Sequence, residues 1–216
     1  MEWAHASGSP DILAYVLMRK AQQATLVGDS ASTIALSRSA ASQNGIARRV
    51  RAAALQQQAH GHARDLDEIA SLTALDHAGD LVSGGAGPTL PFDLASYCTP
   101  HSVQAQRGAC LLALRRPRQA LLAFDAALAA WPQEYRRERG LHMARKAIAV
   151  VAAGEPESAA TTALEALNVV RATGSARIIS ELTVADTLLG QIETRADQVQ
   201  EFRAQVRPLL PATSPS

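Results

Sequence analysis

Cys98, His101 and Cys110 are the residues whose types and spacing come nearest to chemistry. As Cys-x2-His with a distant second thiol they suggest a thiol and imidazole pair or a set of soft-metal ligands. Three ligands without a paired knuckle fall short of the four that a structural zinc site takes, so no metal is expected. Cys110 follows the small Gly108 on a helical pattern and reads as core, while Cys98 precedes Thr99 and Pro100, a helix start. His60 and His62 lie two apart and point to different sides of a helix, whereas helical ligand pairs need three or four residues between them. Each of these histidines reads as a surface or groove residue, and His77 belongs to the next helix. No Gly-x-Ser-x-Gly, phosphate-binding glycine loop or His-Glu-x-x-His occurs. No cofactor and no catalytic residue are called for. The competing reading is an accessory protein or enzyme with Cys98 and His101 at the mouth of a loop spanning 79–93.

Charge narrows the partners. The chain has 216 residues, with 21 Lys and Arg against 20 Asp and Glu and a formal net charge of +1. That balance gives no overall field to hold a polyanion or an anionic membrane. The arginine groups Arg48, Arg49 and Arg51, Arg115, Arg116 and Arg118, and Arg136, Arg137 and Arg139 fall at helix ends and linkers without interleaved aromatics. They suit helix C-termini better than a nucleic-acid footprint. Two cysteines, no signal core and no apolar run of membrane-spanning length predict a soluble, reduced, cytoplasmic protein.

The elements that must position these residues are helices. Hydrophobic residues make up 47% and aromatics only 4%, with Ala and Leu dominant and β-branched residues scattered, which favours helix over strand. The spacing predicts an all-α chain in which helix, short turn and helix recur. Residues 139–172 hold two helices split by "GEPE", with Gly154 ending one and Pro156 opening the next. In 113–132 the break is "RRPR", and near the N-terminus it is "GDS", with Asp29 or Ser30 as N-cap. Two further helices follow Gly174, the last with Val199, Phe202, Val206 and Leu209 on one face, and they would cap the stack.

Register identifies the repeat. Gly108, Leu111, Ala120, Phe124, Ala127 and Pro132 follow the tetratricopeptide pattern of small and apolar residues where two helices cross, closed by proline. A second copy has Ala147, Val150, Ala159, Ala163 and Ala166; a poorer one has Ala21, Ala24, Thr33, Ser37 and Ala40; and 50–78 is a degenerate copy. The expected fold is therefore a tetratricopeptide-like α-solenoid of antiparallel helix pairs. It divides into an N-terminal half over 1–78, a Gly- and Pro-rich loop over 79–93, a C-terminal half with capping helices over 94–210, and a disordered tail over 211–216.

From Tyr97 onward the chain resembles the tetratricopeptide-type C-terminal sensor region of bacterial helix-turn-helix regulators of the Xre class. The residues that carry the likeness are "YCTPHSVQAQRGACLLALRRPRQALLAF", "WPQEYRRERG", "AAGEPESAATTALEAL" and "ATGSARIISEL". Upstream, "SPDILAYVLMRKAQQA" and "QQQAHGHARDLDE" resemble the helices that precede them in that family. The resemblance implies sensing of a peptide, partner protein or small molecule. It implies no DNA binding, because the chain opens at what resembles the first sensor hairpin. A stand-alone relative or a piece of a regulator would both fit, as would a homodimer.

The expected function is non-catalytic: a concave face that binds a peptide, protein or small effector. First helices of the pairs line that face, placing Tyr15, Met18, Gln22, Gln56 and His60 at a polar end. Ser102, Ala105, Ala109, Leu141, Ala144 and Ile148 form an apolar continuation. The protein's own last helix could also fill such a groove.

Overall fold

The computed structural model describes residues 8–84 and 94–209. Among these are ten α-helices and one short 3-10 turn, with no strand. They fall into two compact units, Met1–Arg115 and Arg116–Ser216. The first contains α1 (Pro10–Val27), α2 (Ser30–Ala41), α3 (Arg48–Arg64), α4 (Glu68–Ser83) and α5 (Pro100–Ala113). The second contains α6 (Pro117–Ala129), α7 (Arg136–Ala152), α8 (Pro156–Thr173), α9 (Ala176–Leu189) and α10 (Asp197–Val206), followed by the 3-10 turn Arg207–Leu209.

Helix ends follow local chemistry. Prolines open α1, α5, α6 and α8, where a missing N–H costs nothing. Asp29 caps α2 by accepting from the Ser32 N–H at 2.9 Å, and Asp67 caps α4 by accepting from Ala70 at 3.0 Å. Thr99 and Ser102 bond reciprocally in a capping box at the start of α5. Gly28, at φ 83°, closes α1: its N–H donates to Thr25 and the Asp29 N–H to Ala24.

Packing repeats in the same order in both units. In the first, α1 packs on α2 and α3, and α3 on α2, α4 and α5; in the second, α7 packs on α6, α8 and α9, and α8 on α9 and α10. Contact with the next helix and the next but one is the arrangement of a solenoid. The repeat register is buried as expected: Ala120, Phe124, Ala127, Ala147, Ala159, Ala163 and Ala166 are all fully buried. Thr33 and Ser37, polar at the matching positions of the poorer copy, are also fully buried. Their hydroxyls donate to the helix carbonyls of Asp29 and Thr33 at 2.7 and 2.6 Å, which makes the substitution tolerable.

Four expectations need correction or placement. Helix α4 continues through Gly79 to Ser83, so the loop does not begin at 79; residues 85–93 lie outside the described residues, as does the tail over 211–216. The boundary between the units falls at Arg115 and Arg116 instead of within 79–93. The reason is that α5 packs on α3 and α4 and sends Val103, Cys110 and Leu114 into the core of the first unit. Leu209 is 39% exposed, because the chain leaves α-helical geometry after Val206 and takes it off the buried face. Gly61 and Gly140 mark close helix approaches: a Cβ on Gly61 would lie 2.6 Å from Ile34, and one on Gly140 2.7 Å from Val169.

Candidate binding face of the first unit

The polar residues expected to line a groove come from α1 and α3, helices held side by side by the solenoid packing. The turn at 94–97 and Cys98 meet both of them. Tyr97 directs its hydroxyl at the Met18 sulfur, 4.0 Å away, and Gln56 donates its amide to Cys98 Sγ at 2.9 Å. Met18 and Gln56 are consequently 1% and 3% exposed. Tyr15, Gln22 and His60 remain half-buried, with surface to offer, and Gln22 accepts from Arg19 at 2.7 Å.

His60 is the centre of a chain of hydrogen bonds to α5. Its Nε2 lies 2.8 Å from Gln106 Oε1 and its Nδ1 3.6 Å from Cys110 Sγ. An amide oxygen can only accept, so Nε2 carries the proton and Nδ1 accepts from the thiol. A thiol nucleophile uses the same order of thiol, imidazole and orienting group. Cys110 is fully buried, however, and the chain fastens α3 to α5. Cys98 is also fully buried, and burial pushes its thiol up to about 12 against the smaller opposing effects of the Gln56 hydrogen bond and Arg49. A thiol so raised is not an activated nucleophile. Burial likewise lowers the His101 imidazole. Among the described residues no group of three or more His, Cys, Asp or Glu is placed to hold a metal.

In the second unit, Leu141 and Ile148 on α7 are 6% and 7% exposed, and Ala144 is fully buried. Ser102 and Ala105 on α5 are buried as well, so the apolar continuation is largely packed. Two arginines read from sequence as helix-end partners have that role: Arg51 donates to the carbonyls of Ala41 and Gln43 at 2.6 and 3.0 Å, and Arg48 to those of Gly84 and Asp80 at 3.1 and 3.3 Å.

A separate cleft was not anticipated from the sequence. It runs between α3 and α4, lined among others by Leu55, Gln58, His62, Ile69, Thr73 and His77, with a volume of about 490 Å3. Gln58 and His62 stand two positions from Gln56 and His60, so they occupy roughly the opposite side of α3. The visible signal was the pattern Leu55, Gln58, His62, a second helical stripe beside the first.

Two solved structures share this architecture. One is a protein from Podosopora anserina assigned as a kinesin light chain with nearly identical TPR-like repeats, at a TM-score of 0.61 and 14% identity, covering 93% of this chain and 96% of that one. A single-substitution variant of the same protein has the same score and identity and covers 95% of its own chain. The fold is a tetratricopeptide-like helical repeat. No protein-family model and no curated protein matches the sequence. Among the described residues no helix is long and apolar enough to cross a membrane.

Proposed function

We propose that this tetratricopeptide-like repeat is a non-catalytic module that recognises a peptide or protein, and that it serves as the partner-sensing part of a transcriptional regulator or as a stand-alone relative of one. The observation that carries this reading is the architecture: within each unit, among the described residues, helix pairs pack chiefly on near neighbours, a design whose surfaces serve recognition. The raised, buried Cys98 thiol weighs against the enzyme alternative at Cys98 and His101. On this reading Tyr15, Gln22 and His60 meet the ligand, while Met18 and Gln56 form the floor beneath them. Leu141 and Ile148 support the corresponding face of the second unit.

The test is a thermal-shift screen of the full chain against synthetic peptides, since a ligand specific to the folded state raises the midpoint with its saturation. Tyr15→Ala and Gln22→Ala should weaken a hit while leaving the unliganded midpoint near that of the parent. Hits that bind both variants and the parent equally well would place recognition elsewhere.

A further inference from the structure

The turn between α3 and α4 spends a leucine where a glycine would be expected. The Leu66 N–H donates to Ala63 and the Asp67 N–H to His62, the same two-bond closure that Gly28 makes for α1. Leu66 therefore sits at φ 61°, a left-handed conformation that its Cβ disfavours, and its side chain is 59% exposed. Neither backbone preference nor burial accounts for leucine there. Ile69, in the first turn of α4, is 82% exposed and forms part of the α3–α4 cleft.

The same end of the unit includes the α1–α2 turn, where a Cβ on Gly28 would lie 2.6 Å from Arg64 Nη2. Leu26 and Val27 precede that turn and are 74% and 83% exposed. The same two turns carry the exposed Asp29, Asp65 and Asp67 and the half-buried Glu68, against one arginine, Arg64, whose guanidinium lies beside Gly28, and His62, whose Nδ1 is 3.8 Å from Asp67 Oδ2. Hydrogen bonds from Ser32 hold the Asp29 carboxyl below its ordinary range, so it stays ionised. Exposed apolar residues on turns with an excess of carboxylates disfavour nucleic acid and anionic lipid and favour a cationic protein segment. From Leu55 to His62 the cleft follows seven residues of α3, about 10 Å, or two turns of a partner helix with anchors at i, i+3 or i+4, and i+7.

Resting on the reading of the chain as a partner-binding module, we propose that this end of the first unit docks a basic amphipathic helix of another protein. Its apolar anchors sit on Leu66, Ile69 and the α3–α4 cleft, and its lysines or arginines face Asp29, Asp65, Asp67 and Glu68. This surface lies on the opposite side of α3 from Gln56 and His60, so the two faces are separable by mutation.

Fluorescence anisotropy of the full chain tests it, using a labelled helical peptide of Leu and Lys with apolar residues at those spacings. One control peptide replaces Lys by Glu and another replaces Leu by Ser. The Leu and Lys peptide should bind at least about tenfold tighter than either control and weaken as salt is raised. Leu66→Gly and Ile69→Ser should each lower its affinity by about tenfold. Leu66→Gly relieves the left-handed strain and folds at least as well as the parent, so lost binding there is not unfolding. Equal affinity for the Glu peptide, or unchanged affinity in both variants, overturns the proposal. If a peptide hit loses affinity in Tyr15→Ala but not in these two variants, the docking proposal falls and the module reading stands.

Discussion

Replacing Gly140 by alanine sets two effects of opposite sign against each other. Alanine in a helix interior is worth about 1 kcal/mol over glycine. The added methyl would lie 2.7 Å from Cγ1 and 2.8 Å from Cβ of Val169, and 3.0 Å from Cδ1 of Ile178. Carbon atoms rest about 3.5–4.0 Å apart, so all three contacts are overlaps. Val169 is β-branched and holds one strongly preferred rotamer in a helix, and its Cβ moves only with the backbone of α8. Relief requires α7 and α8 to separate, at about 2–3 kcal/mol, the upper range for overpacking. The net expectation is a loss of about 1–2 kcal/mol. Gly79 on α4 is the control, since a Cβ there meets nothing within 4 Å and Gly79→Ala should gain up to about 1 kcal/mol from propensity alone. For a chain of this size each kcal/mol moves the melting midpoint by about 2–4 °C. Scanning calorimetry in one buffer should therefore show the two variants displaced to opposite sides of the parent. A Gly140→Ala midpoint equal to or above that of Gly79→Ala would refute the close crossing of α7 and its neighbours.

Phe124→Ala should cost about 3–5 kcal/mol in urea unfolding, because the ring is fully buried, whereas Leu122→Ala, at a residue 72% exposed, should stay within about 0.5 kcal/mol. Native Cys98 should resist iodoacetamide at mildly alkaline pH and react once urea is added, as followed by mass spectrometry; equal rates in both conditions would contradict its burial. The same thiol has an alkaline signature: its value of about 12 lies above the ordinary 9.0, so the unfolded chain loses its proton first. Its contribution is intact below pH 9.0 and is lost as the pH rises toward 12, with Cys98→Ala flattening that decline in the urea midpoint. Asp186, 9% exposed, accepts from Arg203 Nε at 2.9 Å, and Asp186→Asn should cost about 1–3 kcal/mol by thermal unfolding, less if water reaches the pair.

Legibility in the sequence followed the range of the interactions. Helix starts at Pro100, Pro117 and Pro156, the cap at Asp29 and the breaks at Gly28, Gly154 and Gly174 depend on residues a few positions apart, and they were readable. The small-residue register around Ala120, Phe124 and Ala159 was readable too, because the repeat imposes it. Gly79 reads as a loop residue because isolated glycine resembles punctuation, yet α4 carries it inside the helix at modest cost. What surrounds Gln56 and His60 was hidden: their partners Cys98, Gln106 and Cys110 are 42, 46 and 50 positions away. Helical phase groups Met18 with Tyr15 and Gln22, and Gln56 with His60, but phase does not reveal that the segment carrying Tyr97 and Cys98 packs on Met18 and Gln56.

Among the described residues, helices pack chiefly on the next one or two within their unit, and this has a kinetic consequence. Most chain loops closed in forming these contacts are short, those that bring Cys98, Gln106 and Cys110 to α3 being the longer ones. Little entropy is therefore lost before the hairpins pack, and contact order of this kind goes with folding in microseconds to milliseconds. The same locality lets a terminal hairpin open without dragging its unit apart, so amide exchange should be graded along the chain instead of collapsing into one rate. A partner that spans neighbouring hairpins would tie their openings together, and the mark of its binding would be a slowing of exchange that extends past the residues it touches.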